Sequence, residues 1–329
     1  MSEANHERAL LLRLAAGPVG GDVLAREAGL TRAAVWKRID ALRDAGIAIA
    51  ASPGLGYRLE QPLGLLDAEV IRAALPKPLR AQLAGLDVAW SLDSTNSELM
   101  RRDTPIRGCA VLLAERQTGG RGRRGRTWAS PLAAHVYLSI ARRFEGGLAR
   151  LGGLSLVAGI AACEALRALG HAQVALKWPN DLVVADDKGL RKLGGLLVEG
   201  GGEAAGAARA VIGLGINVRM PAAVAKDIDQ PWVDLASMSR AAPARNAVVA
   251  MLLSRLLPAL QQFDAEGLAA FLPRYAALDA LAGRALRVHE GDRAWSATAL
   301  GIADDGALRV RDADGRERPV HAGDVSVRA

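Results

Sequence analysis

The sequence predicts an α+β protein of several domains: a helical N-terminal domain, a central α/β domain with a mixed sheet, and a small C-terminal β domain. Hydrophobic residues recur at helical spacing over residues 1–62. Strand-like and helix-like segments alternate over residues 66–279, and apolar residues alternate at period two over residues 283–329. At 329 residues, the chain is long enough for two or three domains with separate cores.

Composition places the chain among ordinary globular proteins and limits the classes of partner. Half of its residues are hydrophobic and 23% are charged, and no run of about 18 uninterrupted apolar residues could span a bilayer. The first residues are polar, without the apolar stretch of a signal peptide, and Cys109 and Cys163 are too few for a disulfide framework. These features predict a cytoplasmic protein. The net charge of +7 favours an anionic partner such as a nucleotide, a nucleic acid or an acidic protein.

The N-terminal region has the pattern of three short helices. An apolar run at residues 9–14 predicts the first helix, Asp22 is predicted to cap the second, and Gly29 is predicted to turn the chain. Thr31 is predicted to cap the third helix. The apolar positions that would bury the third helix are Val35, Ile39 and Leu42.

A predicted hairpin, with strands at residues 47–50 and 57–59, follows the third helix as a wing. The region is therefore a predicted winged helix-turn-helix, in which the exposed start of the third helix would contact phosphates and base edges. The candidate DNA-contacting residues are Gly21, Thr31, Arg32, Lys37 and Arg38. Basic and acidic residues nearly balance over residues 1–60, so charge alone does not decide between DNA binding and a protein-interaction module.

The remaining chain divides into a mixed-sheet domain and a β domain. A linker is predicted at residues 61–64, and a short helix after Asp67 is interrupted near Pro76. Strands are predicted at residues 87–92, 110–114, 135–141, 174–178, 182–184, 193–199 and 210–218, and helices at residues 154–169 and 246–278. Further strands are predicted at residues 285–288, 295–300, 307–310 and 318–321, with Asp-Gly turns at residues 304–306 and 314–315.

A glycine-rich loop carries the most informative local pattern. Its four arginines fall within six positions, and they are Arg121, Arg123, Arg124 and Arg126. Guanidinium groups match phosphate and carboxylate, and glycine lets the backbone approach a ligand closely, so we expect this loop to close over a polyanion. Dinucleotide and phosphate-loop patterns are nearly met, but each requires a helix directly after the glycines, and residues 126–131 begin none. A solvated loop and a nucleic-acid patch stay open as alternatives.

Four further segments place polar residues beside glycine or proline. They are Ser94-Thr95-Asn96, Lys177-Trp178-Pro179-Asn180-Asp181, Arg191-Lys192-Leu193-Gly194-Gly195-Leu196-Leu197-Val198-Glu199 and Gly213-Leu214-Gly215-Ile216-Asn217-Val218. Each also has a structural interpretation, namely a helix cap, a core tryptophan with a turn, a surface lysine and bulge-forming glycines. Taken singly, no segment decides between a structural role and a ligand site.

Together and in this order, these segments and the arginines resemble the biotin protein ligases, in particular the bifunctional bacterial type that also represses the biotin operon. The resemblance covers essentially all 329 residues. It implies a winged helix-turn-helix at residues 1–62, a ligase domain at residues 66–279, and an SH3-like β-barrel at residues 283–329 that ends in Gly323-Asp324-Val325-Ser326-Val327-Arg328. Enzymes of this family join biotin to ATP, forming biotinyl-5′-adenylate and pyrophosphate, and then transfer biotin to a lysine of a carrier protein.

The resemblance also implies roles for single residues. Lys192, Arg121 and Arg123 match the family positions that neutralise the reacting carboxylate and phosphate. The implied biotin-binding residues are Ser94, Thr95, Asn96, Gln117, Gly120, Arg121, Gly122, Arg123, Lys192, Gly194 and Gly213. The implied nucleotide-binding residues are Arg123, Arg126, Trp128, Lys177, Asn180 and Asp181, and the last two are the implied ligands of Mg²⁺.

Partners follow from the same resemblance: a biotin carboxyl carrier protein, operator DNA, and a second copy of the chain in a ligand-induced homodimer. Three alternatives stay open: a regulator that senses a ligand without transferring it, a ligase whose N-terminal domain is only an interaction module, and a lipoate ligase. The chain departs from the family after Pro131, where Leu132-Ala133-Ala134-His135 replaces a stretch that commonly carries glycine and asparagine. It also carries a second glycine, Gly195, behind Gly194.

Overall fold

The computed structural model describes residues 3–52, 54–202, 208–240, 243–290, 293–322 and 325–328. Within them the strands form three sheets, one in each predicted domain. The N-terminal domain contains α1 (Glu3–Ala15), α2 (Gly21–Ala28) and α3 (Arg32–Asp44), followed by the antiparallel hairpin of β1 (Ile49–Ser52) and β2 (Gly56–Leu59). The predicted order of three helices and a wing is confirmed.

Local capping explains where α2 ends and α3 begins. Gly29 ends α2 in the left-handed region with φ 63°, and the Thr31 side chain accepts a hydrogen bond from Ala34 N at 3.2 Å. Both predictions are confirmed. The prediction that Asp22 caps α2 is wrong, because the helix already begins at Gly21 and places Asp22 inside its first turn. A carboxylate there stabilises the helix through the helix dipole instead.

The central domain is built on a seven-stranded mixed sheet, as predicted. Its strand order is β3-β4-β5-β9-β8-β7-β6, with β3 and β4 parallel and the other neighbouring pairs antiparallel. The strands are β3 (Leu83–Leu92), β4 (Cys109–Gln117), β5 (Val136–Phe144), β6 (Val174–Lys177), β7 (Asp181–Asp186), β8 (Gly189–Gly202) and β9 (Ala208–Ile216). Most of them extend beyond the predicted bounds, because a hydrophobic pattern marks only the buried part of a strand.

Two long helices cover one face of this sheet. The central helices are α4 (Ala68–Ala74), α5 (Lys77–Arg80), α6 (Thr95–Arg101), α7 (Leu154–Ala168), α8 (Ala222–Ala225), α9 (Arg245–Glu266) and α10 (Leu272–Ala276). Helices α7 and α9 pack together, and α7 is apolar around most of its surface because it is buried between α9 and the sheet. The helix predicted over residues 246–278 is interrupted, since α9 ends at Glu266 and α10 begins only at Leu272.

The C-terminal domain is a five-stranded antiparallel sheet of order β13-β12-β11-β10-β14. Its strands are β10 (Ala285–Glu290), β11 (Arg293–Ile302), β12 (Leu308–Asp312), β13 (Glu317–Val320) and β14 (Val325–Arg328). Leu286, Val288 and Leu308 belong to the same buried cluster as α7 and α9, so this sheet is part of the central core. Gly323 and Asp324 lie outside the described residues. Across the described ranges, no helix combines the length and apolarity needed to cross a membrane.

A buried ion pair fixes the linker between the N-terminal and central domains. The carboxylate of Glu115 lies 2.7 Å from the guanidinium of Arg245, and their side chains are 3% and 5% exposed. Glu115 also accepts a hydrogen bond from Leu66 N at 2.6 Å, while Arg245 donates to Gly64 O at 2.7 Å and to His135 O at 3.1 Å. The pair therefore ties the linker to β4, to the start of β5 and to the start of α9.

Candidate functional site

The arginine loop, from Gly120 to Trp128, has a defined hairpin shape. Trp128 N donates to Gly120 O at 2.9 Å, and Gly122 N donates to Arg126 O at 2.7 Å. Arg124, at the tip, lies in the left-handed region with φ 59°. A non-glycine residue in this region is uncommon and marks a tight turn. The glycine content of the loop alone does not predict this shape.

Arg121 points from the loop toward α6 and β8. Its guanidinium donates to the Ser97 hydroxyl at 2.9 Å and lies 3.2 Å from the Glu199 carboxylate. The Arg121 side chain is 48% exposed, so this pair contributes little to stability. An ion pair with one exposed partner can open at low cost when a competing anion binds.

Arg123 points in the other direction, toward the C-terminal domain. Its guanidinium donates to the Asn180 side-chain oxygen at 3.4 Å and forms a short hydrogen bond to the carbonyl of Ala322. Burial lowers the pKa of Arg123, while Asp181 raises it and two neighbouring arginines of the loop lower it further. An anion bound here would compensate for the burial of the Arg123 cation and for its repulsion by the neighbouring arginines.

Lys192 lies beside Asp181 in the centre of the site. Its Nζ is 2.8 Å from a carboxylate oxygen of Asp181 and 5.4 Å from the centre of the Trp128 ring. Both charged side chains are about one fifth exposed, at 20% and 23%. Gly195 provides room for the lysine, because a Cβ at that position would lie 3.2 Å from Lys192 Cε. The second glycine of this strand is therefore explained by the path of the lysine side chain.

Trp128 covers Gly215 of β9. A Cβ at Gly215 would lie 2.6 Å from the indole, so only glycine fits this contact. The flat group that the structure places against Gly215 is this indole. The Nε1 atom of Trp128 is buried, and it has no hydrogen-bond partner within the described part of the chain. Gly194 packs equally closely, since a Cβ there would lie 2.6 Å from Gly215 O.

A polar cluster of five side chains lies between α6 and the sheet. Gln117 accepts hydrogen bonds from Thr95 N at 2.8 Å and from the Thr95 hydroxyl at 3.1 Å. The Ser139 hydroxyl lies 2.7 Å from Thr95 Oγ1 and 2.6 Å from Asn96 Oδ1. Asn96 donates in turn to the Glu199 carboxylate at 2.8 Å. These fixed donors and acceptors are suited to orient a small polar head group.

Backbone features hold this polar cluster in place. Ser94 caps α6 by accepting a hydrogen bond from a backbone N–H of the first turn at 3.4 Å, so its predicted structural role is confirmed. A Cβ at Gly213 would lie 2.3 Å from Asn96 Oδ1, so the cluster itself requires glycine there. A Cβ at Gly120 would lie 2.7 Å from the Ser130 hydroxyl and from the Trp128 carbonyl, so the return of the arginine loop requires glycine at that position.

The structure brings most of the predicted site residues into two adjoining groups, the polar cluster and the cations around Trp128. Lys177 lies opposite Asp181 in the β6–β7 pair, and Arg126 is exposed on the arginine loop. Sequence reasoning missed Ser139 and Glu199, which complete the polar cluster. Ser139 has a weak sequence signal, a hydroxyl within the apolar first half of its strand. Glu199 ends the segment that begins at Arg191, but nothing connects it to the cluster before its strand neighbours are known.

Oxygen ligands for a metal ion are few. In the ranges that the structure describes, no group of three or more His, Cys, Asp or Glu side chains could hold one. Asp181 offers a carboxylate and Asn180 an amide oxygen, next to each other in the chain. Mg²⁺ is commonly bound by one or two such groups together with water and substrate phosphates. The two residues therefore fit a cation that arrives with a nucleotide.

His135 is buried directly before β5 and has a structural role. Its Nδ1 accepts a hydrogen bond from Val218 N at 3.1 Å, so the proton of the neutral ring lies on Nε2. Burial lowers the pKa of His135 from 6.5 to about 4. The ring is therefore neutral near pH 7. The side chain at position 135 therefore makes a polar contact, and its partner is the backbone of Val218.

His135→Asn is expected to make unfolding less sensitive to acid. The pKa of His135 is about 4 in the folded chain and 6.5 ordinarily, so the unfolded chain binds a proton that the folded chain refuses. Stability is therefore lost as the pH falls from 6.5 toward 4, by about 2 kcal/mol at pH 5. Urea unfolding of both proteins at pH 7 and pH 5 measures this loss. An equal loss in the variant would contradict the assignment.

The predicted DNA-contacting residues lie on α2 and α3. Lys37 is exposed on α3, and Arg32 is exposed but lies 2.9 Å from the Asp22 carboxylate. Arg38 is partly buried, so it is less accessible than Lys37. Trp36, which sequence reasoning missed, is 57% exposed on the same helix. Gly21 begins α2, where a Cβ would lie 3.4 Å from the Tyr57 ring of the wing.

Three regions of the chain match known families. Residues 90–217 match the Biotin/lipoate A/B protein ligase family, residues 7–58 match the HTH domain, and residues 282–328 match the Biotin protein ligase C terminal domain. The matched regions follow the three domains of the fold.

Similar proteins are found among curated sequences and solved structures. The chain is 40% identical over 311 residues to the bifunctional ligase/repressor BirA of Escherichia coli (strain K12), an alignment that covers 94% of this chain and 92% of that protein. It is 34% identical to the biotin–[acetyl-CoA-carboxylase] ligase of Mycobacterium tuberculosis (strain ATCC 25618 / H37Rv), over 79% of this chain and 98% of that protein. Its fold resembles the biotin protein ligase from Aquifex aeolicus in complex with biotin and ATP, with a TM-score of 0.63, 25% identity, and coverage of 74% and 99%.

Proposed function

Because the chain belongs to the biotin protein ligase family, we propose that it is an ATP-dependent biotin protein ligase that also represses transcription of the biotin operon. The catalytic part of the proposal rests on one observation: two cations contact residues that are neighbours in the chain. Arg123 donates to Asn180, and Lys192 forms an ion pair with Asp181. The relatives that align over almost the whole chain are bifunctional ligase/repressors, and the N-terminal domain is the helix-turn-helix that a repressor needs.

The first half-reaction joins two anions. An oxygen of the biotin carboxylate attacks the α-phosphorus of ATP, the bond from that phosphorus to the β-phosphate oxygen breaks, and pyrophosphate leaves. Lys192 would exchange Asp181 for the attacking carboxylate and the α-phosphate, and Arg123 would neutralise the departing phosphates. Both cations lie in the site before the substrates bind, so each has only to exchange its present partner for a substrate anion.

The polar cluster would bind the ureido ring of biotin. This ring has two N–H donors and one carbonyl acceptor, which require a few fixed partners within an otherwise apolar pocket. Gln117 Oε1 lies 3.1 Å from the Thr95 hydroxyl, and the Ser139 hydroxyl connects Thr95 to Asn96, so these oxygens could be shared with those donors. The ring would thereby fix the carboxylate end of biotin toward Lys192.

The second half-reaction transfers biotin to a carrier protein. A neutral lysine amine of the carrier attacks the carbonyl carbon of the mixed anhydride, the bond to the AMP oxygen breaks, and the nitrogen loses a proton. The anhydride is reactive toward water, so it needs a covered site. We assign this cover to the arginine loop and the Trp128 indole, which already lie over Gly215 and Lys192.

Asp181 and Asn180 would hold Mg²⁺ that arrives with ATP, and the ion would neutralise phosphate charge. Asp181 is the more effective ligand, because it supplies a carboxylate. Its present partner is Lys192 at 2.8 Å, and that lysine would turn to the reacting groups when the metal takes its place.

The repressor part requires operator DNA and a dimer. We propose that the exposed start of α3 enters the major groove, with Thr31, Arg32 and Lys37 as contacts, and Gly21 and Arg38 beside them. One chain presents one such helix, whereas a two-fold operator needs two. We therefore propose that the adenylate-loaded chain dimerises on the operator.

Incubation of the purified chain with biotin, MgATP and a biotin carboxyl carrier domain tests the ligase. We expect pyrophosphate release and a carrier lysine heavier by one biotinyl group. Absence of both adenylate and pyrophosphate would overturn the proposal, retained adenylate with an unlabelled carrier would indicate a regulator only, and preference for lipoic acid would indicate a lipoate ligase. For the repressor, binding to biotin-operon operator DNA should tighten with adenylate and weaken with salt.

A further inference from the structure

Trp36 is a large apolar side chain that the fold leaves in solvent. It is 57% exposed, and it is the aromatic residue among the exposed large hydrophobic residues of the described chain. Helix α3 buries Val35, Ile39 and Leu42, and Trp36 lies off that face. Its indole therefore adds little to the core of the N-terminal domain, and a lysine or an alanine would favour the helix more. Folding alone gives no reason for a tryptophan at this position.

The neighbours of Trp36 on the exposed face of α3 are small or charged. Ala33 lies three positions before it and Lys37 directly after it, and both are exposed. Residues three and four positions apart lie side by side on a helix, so Ala33 adjoins both Trp36 and Lys37. Asp40, one turn further along, is acidic, and its carboxylate lies 3.7 Å from the Arg43 guanidinium. An apolar patch, formed by Ala33 and Trp36, thus adjoins an exposed lysine.

The position of this apolar patch on α3 indicates duplex DNA as its partner. Trp36 lies four residues after Arg32, the first residue of α3, a rise of about 6 Å along the helix. It therefore belongs to the part of α3 that meets base edges when a helix of this kind enters a major groove. Arg32 and Lys37, before and after it, suit the phosphates that line the groove. A protein partner would have to bind beside these exposed cations, whereas DNA attracts them.

The chemistry of the apolar patch selects one base. Thymine is the base that presents an apolar group, its C5-methyl, in the major groove, and its O4 acceptor lies beside that methyl. An indole has an apolar ring and one N–H donor, which match these two features. Guanine and adenine have no methyl group, and cytosine presents a donor for which neither Trp36 nor Ala33 has a side-chain acceptor.

We infer that Trp36 is a specificity-determining residue that binds the methyl group of a thymine in the DNA half-site, with Ala33 packed beside it. The inference rests on the proposed repressor function and deepens it, because it names a base that α3 reads. The cations of α3 contact phosphates, which carry no sequence information. The apolar patch therefore supplies part of the sequence preference.

Binding to duplexes that differ by single methyl groups tests this inference. The full chain with biotin and MgATP first selects a duplex from random sequences. Each thymine is then replaced singly by deoxyuridine, which lacks only the C5-methyl. In the parent protein, we expect replacement of one particular thymine of the half-site to weaken binding by about fourfold, the effect of one buried methyl group. Trp36→Ala should bind the thymine duplex more weakly and should not distinguish that thymine from deoxyuridine. Fluorescence anisotropy at one salt concentration measures each dissociation constant.

Three further variants separate base reading from a general loss of affinity. Trp36→Phe keeps an apolar ring and should still prefer thymine. Lys37→Ala should weaken binding to both duplexes equally and lower the salt slope by about one. Val70→Ala shortens another apolar side chain, 52% exposed on α4 of the central domain, and should bind both duplexes like the parent.

The possible outcomes distinguish the inference from the function on which it rests. A parent protein that binds every deoxyuridine duplex as tightly as the thymine duplex would overturn the inference. An undiminished preference for thymine in Trp36→Ala would do the same, and if that variant also sediments as a monomer, the indole belongs to a contact between copies of the chain. Failure of the repressor function is distinct, because the chain would then select no sequence from the random pool.

Discussion

Lys192→Ala is expected to slow formation of biotinyl-adenylate by about 10²–10³-fold, the usual loss when one preorganised charge donor is removed. In the proposed mechanism, Lys192 Nζ contacts both the carboxylate and the α-phosphate, whereas Arg123 points to Asn180. Without Lys192, the two anions repel each other more strongly as they approach. Single-turnover release of pyrophosphate measures the step directly, before transfer to the carrier.

A matched lysine provides the control for this variant. Lys188 is exposed just before β8, four residues from Lys192, and the Lys188→Ala variant should form adenylate at the parent rate. An equal loss in both variants would mean that net charge near the sheet, and not a positioned amine, determines the rate.

A second variant tests whether the slower formation of adenylate is caused by the unpaired Asp181 instead. Removing Lys192 leaves the Asp181 carboxylate unpaired close to the phosphates, where it would repel them. If that repulsion were the whole cause, Asp181→Asn in the Lys192→Ala background would restore the rate. We expect no restoration, because the missing group is the cation, and Asp181 is also a proposed ligand of Mg²⁺.

The cationic side of the site could be predicted because its signals are local. The arginine loop and the segment from Lys177 to Asp181 are each continuous in sequence, and their chemistry can be recognised without a fold. The polar cluster is different, since Asn96 lies 43 positions from Ser139 and 103 positions from Glu199. Their contacts depend on β5, β9 and β8 being neighbours in the sheet, and a linear pattern does not contain that order.

The N-terminal domain shows the same limit. Helical spacing correctly predicted that Val35, Ile39 and Leu42 are buried, because one face of a helix follows from spacing alone. Asp22 was assigned to the wrong position because aspartate is favoured both at a cap and in the first turn, and the backbone decides between them. Leu132 follows the arginine loop but is buried in the core of the N-terminal domain, and it could not be placed at all, since hydrophobicity does not tell which domain a side chain enters.

Arg245→Met is expected to lower the free energy of unfolding of the central domain by about 3–5 kcal/mol, the range for removal of one partner of a buried ion pair. The Glu115 side chain, only 3% exposed, would be left without its partner. The carbonyls of Gly64 and His135 would each lose a donor as well. Hydrogen exchange of β4 and β5 peptides at increasing urea measures the effect, because it reports on the central domain separately.

Two comparisons identify the source of this loss. Arg102 lies 2.9 Å from the Glu98 carboxylate but is 42% exposed, and Arg102→Met should cost no more than about 1 kcal/mol. Glu115→Met added to Arg245→Met should recover most of the stability, because the unpaired buried charge is then gone, although Leu66 N still lacks its acceptor. A double variant as unstable as Arg245→Met would instead assign the loss to the linker contacts at Gly64 and Leu66, and the ion pair would then matter for holding the linker rather than for its charge.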